Sequence, residues 1–251
     1  MKIIKTDQEI EILKKAGKLL AEVKQIIYDL VRPGVSLKEL DAIAFKEITK
    51  RNAKPSFLNY QGFPATICAS VNQKLIHGIP DEYIIKDSDV VSIDLGLIYE
   101  GFHSDTAFTK AVGQVSYNDK KIIQVAEDAF WAGFNAIKKD ATTLDIANAI
   151  FKVIKQNNLY TPKEFSGHGI GTSLHEEPYI YNYPNKNDVV KLKDNMVICI
   201  EPMILQNSDK VKILKDGWSV IAASNKNAAH FEQMVLIKNN KGIILTGEIK
   251  K

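Results

Sequence analysis

Four carboxylates in this chain stand where a carboxylate is costly to place. Asp94 and Asp105 lie eleven residues apart across Tyr99-Glu100-Gly101. A hairpin there sets them opposite or nearly opposite on adjacent strands, about 4.5–8 Å apart at Cβ. Carboxylates that close repel unless one is protonated or a cation lies between them. Glu201 and Glu232 each interrupt an otherwise apolar run, and a buried carboxylate needs a basic residue or a metal. The flanks of all four offer almost no Lys or Arg, which favours a metal. Four carboxylates with one imidazole suit a pair of divalent ions and bridging carboxylates. Such ions sit roughly 3.5–4 Å apart and generate a hydroxide near neutral pH. Singly, each acid has a plainer reading: a solvated hairpin Asp, a strand-end Glu201 before Pro202, an edge-strand Glu232.

The imidazole has a source in Gly167-His168-Gly169-Ile170-Gly171-Thr172-Ser173-Leu174-His175, which holds two of the five histidines in the chain. Glycine beside a polar side chain lets the backbone approach a ligand closely or adopt positive φ. The glycines argue against a helix, so loop and strand would bring both rings to one pocket. A glycine-rich turn with two solvated histidines is the alternative.

The elements that must position these residues follow from periodicity and capping. Thr6 or Asp7 caps a helix whose apolar positions Ile10, Leu13, Ala16, Leu20, Val23 and Ile27 share one face, ended by Pro33-Gly34. Ser36-Leu37-Lys38-Glu39 reads as a capping box for a second helix. Strands are expected at 57–63, 65–71 and 89–98, the last with Val91, Ile93, Leu95 and Leu97 on one face and Asp94 on the other. Tyr99-Glu100-Gly101 reads as a three-residue hairpin loop with Gly101 left-handed. Helices are expected at 117–138 and 143–156, then strands at 192–202, 229–237 and 242–245. Ser36 to Ile43 echoes Thr143 to Ile150, each after a long helix and before a strand-rich section, which points to a duplicated α+β half.

Composition narrows the field. A chain of 251 residues with net charge +3 and no basic cluster offers little to nucleic acid. Cys68 and Cys199 form no close-spaced motif and suit a reducing compartment. No apolar run is long enough to span a membrane, and the N-terminal Met1-Lys2-Ile3-Ile4-Lys5-Thr6-Asp7 lacks a signal-peptide core. A cytoplasmic location is expected.

Ile93-Asp94, Gly101-Phe102-His103-Ser104-Asp105-Thr106, Gly167-His168-Gly169-Ile170-Gly171, Leu174-His175-Glu176-Glu177-Pro178, Ile200-Glu201-Pro202-Met203 and Phe231-Glu232 are similar to the motifs of the methionine aminopeptidases, in that family's order. The resemblance runs from the first helix to the last strand. It implies the α+β pita-bread fold: one catalytic domain over 1–251, with pseudo-symmetric halves near 1–115 and 116–251 and an antiparallel sheet covered by helices. The short stretch from His175 to Glu201 leaves no room for the helical insertion of type II enzymes, so the bacterial type I form is the nearer likeness. The zinc-binding N-terminal extension of some relatives is not expected.

The resemblance also implies roles. Asp94 would ligate a first divalent ion, Asp105 and Glu232 would bridge two, and His168 and Glu201 would complete the second. The ions are Co, Mn, Fe or Zn, with the cellular choice left open. His77 and His175 would contact substrate, His175 near the scissile peptide, and Glu201 would shuttle a proton. Tyr60, Phe63, Cys68, Leu174 and Trp218 match the walls of the methionine pocket. Phe57, Phe63 and Leu174 depart from the residues common there, which bears on pocket shape. His103 and His230, beside ligands, are left as neighbours of the site or solvated groups. The implied activity is removal of the initiator methionine from nascent chains, with a small second residue preferred, by a monomer passing transiently near the ribosome. An Xaa-Pro peptidase (prolidase or aminopeptidase P type) of the same fold is the nearest rival, although such relatives generally carry an extra N-terminal domain. A non-enzymatic binding protein on this scaffold is another, but such proteins lose ligands.

Overall fold

The structure, a computed structural model, describes residues 3–250; Met1 and Lys2, part of the N-terminal stretch read above, and Lys251 lie outside it. Four helices carry the expected faces. Helix α1 spans Asp7–Leu30, opened by a reciprocal box between Thr6 and Glu9. Helix α2 spans Leu37–Lys50; Ser36 accepts from the Glu39 amide, and the carbonyls of Tyr83 and Asp81 take up the Leu37 and Lys38 amides. Helix α3 spans Tyr117–Asn135, three residues short of the expected end, and α4 spans Thr143–Gln156 as expected.

The strands are β1 (Lys54–Pro55), β2 (Ile67–Val71), β3 (Lys74–Ile76), β4 (Val90–Tyr99), β5 (Phe102–Ala111), β6 (Gly167–Gly169), β7 (Glu176–Ile180), β8 (Val197–Ile200), β9 (Met203–Ile204), β10 (Val211–Ile213), β11 (Val220–Ala222), β12 (Ala229–His230), β13 (Glu232–Lys238) and β14 (Lys241–Ile244). The main sheet runs β1-β4-β5-β13-β8-β6-β7, with β2 added on β4 and β14 on β13. Its pairings are antiparallel.

Helices cover one face of this sheet. Helices α1 and α2 pack on Val91, Ile93, Leu95 and Leu97 of β4; α3 and α4 pack on Ile198 and Ile200 of β8 and Val235 and Ile237 of β13. Alternation along each strand therefore sends Asp94, Cys199, Glu232 and Met234 to the other face. The site is built on that other face, part of which is packed by Ile10 and Leu13 of α1 against Val197, Cys199, Met234 and Leu236.

Several expectations need correction. Residues 57–63 are not a strand: Asn59 and Gln61 have φ of 65° and 49°, and a short 3-10 turn at Tyr60–Gly62 replaces extended chain. The hairpin loop has two residues, since Tyr99 pairs with Phe102. Glu100 (φ 48°) and Gly101 (φ 82°) are both left-handed, the pattern that matches strand twist. Residues 229–237 divide into β12 and β13, and 192–202 keeps only β8 as strand in the main sheet. The echo is offset by one. N-caps and buried positions correspond as Ser36 with Thr142, Leu37 with Thr143, Leu40 with Ile146, Ala44 with Ile150 and Ile48 with Ile154.

Candidate metal centre and substrate pocket

Cross-strand register assembles the acids. Asp94 opposes Ala107 on β5, and Ala107 opposes Glu232 on β13, so one alanine separates the two across three strands. Asp105 opposes Gly96, two residues from Ala107 on the same face, which makes Asp94 and Asp105 diagonal neighbours rather than directly opposed. Glu201 follows Ile200, which opposes Gln233, and so enters beside Glu232. His168 on β6 opposes Cys199 on β8.

These acids are held in a frame they cannot occupy as four free anions. Burial raises Asp94 to about 6. Burial and then the charge of Glu232 hold Asp105 well above the carboxylate range. Burial and Asp94 do the same to Glu201, and burial and Glu201 to Glu232. Asp94 Oδ1, Asp105 Oδ1 and Glu232 Oε1 are buried with no hydrogen-bond partner in the protein. Buried orphan acceptors of this kind call for a bound group.

His168 is presented to the same point. Its Nδ1 donates to the Gly169 carbonyl (2.9 Å), which leaves Nε2 facing Glu201 Oε1 at 3.6 Å and Asp105 Oδ2 at 3.9 Å. Burial lowers its pKa to about 3, so the ring is neutral at pH 7 with an acceptor nitrogen aimed inward, the state a metal requires. Donor atoms of Asp105, His168, Cys199 and Glu232 lie within 4.8 Å of one another. The residues present fit divalent cations. Cys199 is an addition to the sequence reading, where it was only an unpaired cysteine; burial pushes its thiol well up.

The glycines beside His168 serve strand packing. A Cβ on Gly167 would sit 2.3 Å from the Cys199 carbonyl oxygen, and one on Gly169 would sit 2.2 Å from that of Glu177. Neither residue has positive φ. They let β6 fit between β7 and β8.

The acids open onto a cavity of about 550 Å³ that all twelve residues singled out from the sequence line together: Asp94, Asp105, His168, Glu201, Glu232, His77, His175, Tyr60, Phe63, Cys68, Leu174 and Trp218. Asp216 Oδ1 accepts the amides of Trp218 and Ser219 at 2.9 Å each, and the indole meets Phe63 with ring centres 5.1 Å apart. His175 precedes β7, its ring 4.5 Å from that of His168 and its Nδ1 2.9 Å from Tyr60 Oη. Burial lowers the pKa of His175 and brings that of His77 to about 4. His77 holds φ 56°, a conformation costing on the order of 1–3 kcal/mol. Phe165, Met203 and Tyr179 also line the cavity; Met203 closes the Ile200-Glu201-Pro202-Met203 motif, whereas Phe165 and Tyr179 had no signal in the sequence.

Five further residues support this face. His230 is 2% exposed and its Nε2 lies 3.3 Å from Glu201 Oε2, so it is not solvated. His103 is half-buried and its Nδ1 meets Ser56 Oγ at 2.9 Å. Lys5 pairs with Glu176 at 2.5 Å, with side chains 4% and 1% exposed, and Glu176 Oε1 accepts the Ser173 amide at 3.0 Å. That pair clamps the loop from Gly171 to His175. Lys24 on α1, 1% exposed, donates to Thr106 Oγ1 (3.3 Å), Gln233 Oε1 (3.1 Å) and the Gly247 carbonyl (2.7 Å). It braces the neighbours of Asp105 and Glu232 from behind.

Residues 11–239 match the model of metallopeptidase family M24. The chain belongs to metallopeptidase family M24. It is 43% identical over 246 residues to the methionine aminopeptidase of Clostridium perfringens, covering 98% of this chain and 99% of that one. The crystal structure of methionine aminopeptidase from Rickettsia prowazekii superposes with TM-score 0.94 at 35% identity, covering 98% of this chain and 100% of that one. The prolidase from Pyrococcus furiosus superposes with TM-score 0.80 at 26% identity, and the match covers 99% of this chain but 66% of the prolidase. The architecture is the α+β pita-bread fold of this M24 chain's neighbours, and its buried Asp105, His168, Cys199 and Glu232 form a cluster able to hold a metal.

Proposed function

We propose that this protein removes the N-terminal methionine from newly made polypeptides. The observation that carries the reading is a pocket walled by Tyr60, Phe63, Cys68, Leu174 and Trp218 that opens directly on the buried acids. Apolar, aromatic and sulfur-bearing walls suit an unbranched thioether. Near full-length likeness to methionine aminopeptidases supports it.

Two divalent ions would be held here, one by Asp94, the second by His168 and Glu201, with Asp105 and Glu232 shared between them. The orphan acceptor oxygens of Asp94, Asp105 and Glu232 support that division. Co, Mn, Fe and Zn all suit such donors. When bound, the ions supply Lewis acidity toward the scissile carbonyl and make water acidic near neutral pH.

The chain's own groups do the remaining work. Tyr60 Oη donates to His175 Nδ1, which leaves Nε2–H to steady the oxygen of the scissile carbonyl as charge develops. His77, neutral by burial, orients the same peptide group from beside Trp218. Glu201 shuttles the proton: as a carboxylate it takes one from the attacking water and delivers it to the departing amine. The apolar walls select the first residue, and a small second residue is preferred. The protein acts in the cytoplasm, as a monomer in transient proximity to the ribosome. The two halves, near 1–115 and 116–251 of one domain, descend from a duplication, which the matched caps and buried positions of α2 and α4 support.

The test is to strip metal with a chelator and assay Met-Ala-Ser and Ala-Pro peptides with added Co, Mn, Fe or Zn. Methionine release restored by metal is expected. No release under any metal overturns the reading, and cleavage confined to Xaa-Pro bonds replaces it with the prolidase one.

A further inference from the structure

We propose that the substrate beyond its second residue lies across a ladder of three tyrosines, Tyr179, Tyr181 and Tyr183, on the rim of the pocket. The inference rests on the aminopeptidase reading above and names how that site holds a polypeptide rather than a dipeptide.

Strand β7 closes the main sheet and pairs with β6 alone among its strands. Along it and just past its end, Pro178, Ile180 and Asn182 point inward and are buried, while Tyr179, Tyr181 and Tyr183 alternate outward. Their ring centres are 6.1 Å apart between Tyr179 and Tyr181 and 5.5 Å apart between Tyr181 and Tyr183. That is a continuous aromatic surface. Tyr179 is 49% exposed and lines the cavity mouth, so the ladder begins where a chain leaving the pocket must pass.

The other rungs are held in place rather than left to swing. Tyr181 Oη donates to Asp188 Oδ2 at 3.1 Å. Tyr183 Oη donates to the Lys163 carbonyl at 3.2 Å, and Glu164, Phe165 and Ser166, next in sequence, line the cavity. Asn182 Nδ2 donates to the carbonyl of Glu201 at 3.0 Å, which roots the ladder in the backbone of a proposed ligand.

The occupant is an extended, unfolded polypeptide. With ring centres 6.1 and 5.5 Å apart, the ladder spans at most about 12 Å, room for about three extended substrate residues at ~3.3 Å each. Pro178 has no N–H to offer along this edge, so the ring faces hold the chain rather than added strand pairing. Aromatic faces accept any backbone and most side chains, which suits a substrate whose downstream sequence is arbitrary.

The experiment compares, within one metal-loaded preparation, kcat/KM for Met-Ala-Ser with that for an octapeptide beginning Met-Ala-Ser. A ratio favouring the octapeptide by about tenfold is expected, given the usual strength of aromatic contacts. Tyr181→Ser with Tyr183→Ser should bring it near one, mainly through KM, and so should Tyr179→Ser alone if the double variant does not fold. Tyr181→Phe with Tyr183→Phe keeps the rings but not the hydroxyl anchors, and should retain most of it. A wild-type ratio near one, or a wild-type ratio retained in the serine variants, overturns the ladder while methionine release from Met-Ala-Ser still stands. Release from neither peptide overturns the aminopeptidase reading instead.

Discussion

Lys5→Met isolates one charge with a countable effect. The ammonium it removes is paired at 2.5 Å with Glu176, and both side chains are almost wholly excluded from solvent. Removing one partner of such a pair strands the other in the interior and costs about 3–5 kcal/mol. At roughly 2–4 °C per kcal/mol for a chain near this size, the melting temperature should fall by about 6–20 °C. Glu176→Gln in the same chain removes the stranded charge and keeps an oxygen for the Ser173 amide, so the double variant should regain most of the loss. Function follows the clamp, because His175 lies within the loop that Glu176 fixes. A misplacement near 1 Å at a reacting centre costs on the order of a hundredfold, so kcat in Lys5→Met should fall by about ten- to a hundredfold at unchanged metal content. The assay is paired thermal unfolding and saturating-substrate kinetics on the single and double variants. A loss below about 1 kcal/mol, or a double variant no more stable than Lys5→Met, refutes the reasoning.

Asp105→Asn or Glu232→Gln should abolish turnover and lower bound metal measured by mass spectrometry; a near-parental rate at saturating metal removes the bridging assignment. His175→Ala should depress kcat while metal content stays at the parental level, and metal loss there would make His175 a ligand. Burial brings Lys24 to about 7, whereas an unfolded lysine titrates near ~10.4. Between those values the unfolded chain binds a proton that the folded chain has released, so stability rises with pH across that window. Unfolding curves of Lys24→Met should lose that rise; an identical pH slope in parent and variant contradicts it.

Much of the site could be read from local pattern. Asp94 on the face opposite Val91, Ile93, Leu95 and Leu97 follows from strand alternation, and α4 appears at its expected residues. The diagonal placement of Asp105 could not, because register is set by loop length, and a two-residue left-handed turn differs from a three-residue one by half a pair. Residues 57–63 were misread because the aromatic spacing of Phe57, Tyr60 and Phe63 fits a packed turn as well as a strand. Positive φ at Asn59 and Gln61 decided it. Lys5 and Lys24 were invisible for another reason. Their partners lie 171 and 209 residues away; Lys24 falls on the apolar stripe of α1 between Leu20 and Ile27, but that position does not say what the lysine meets there.

The brace around Lys24 bears on how the protein is made. One amide, Gln233 Oε1, accepts from Lys24 in the first helix and from Thr246 near the end of the chain, and Gly247 holds the same lysine. Synthesis proceeds from the N-terminus, and a domain folds as a unit. A half-made copy therefore lacks both Glu232 and the residues that lock its strand in place. The brace around Gln233 is then complete only once Thr246 and Gly247 have emerged from the ribosome.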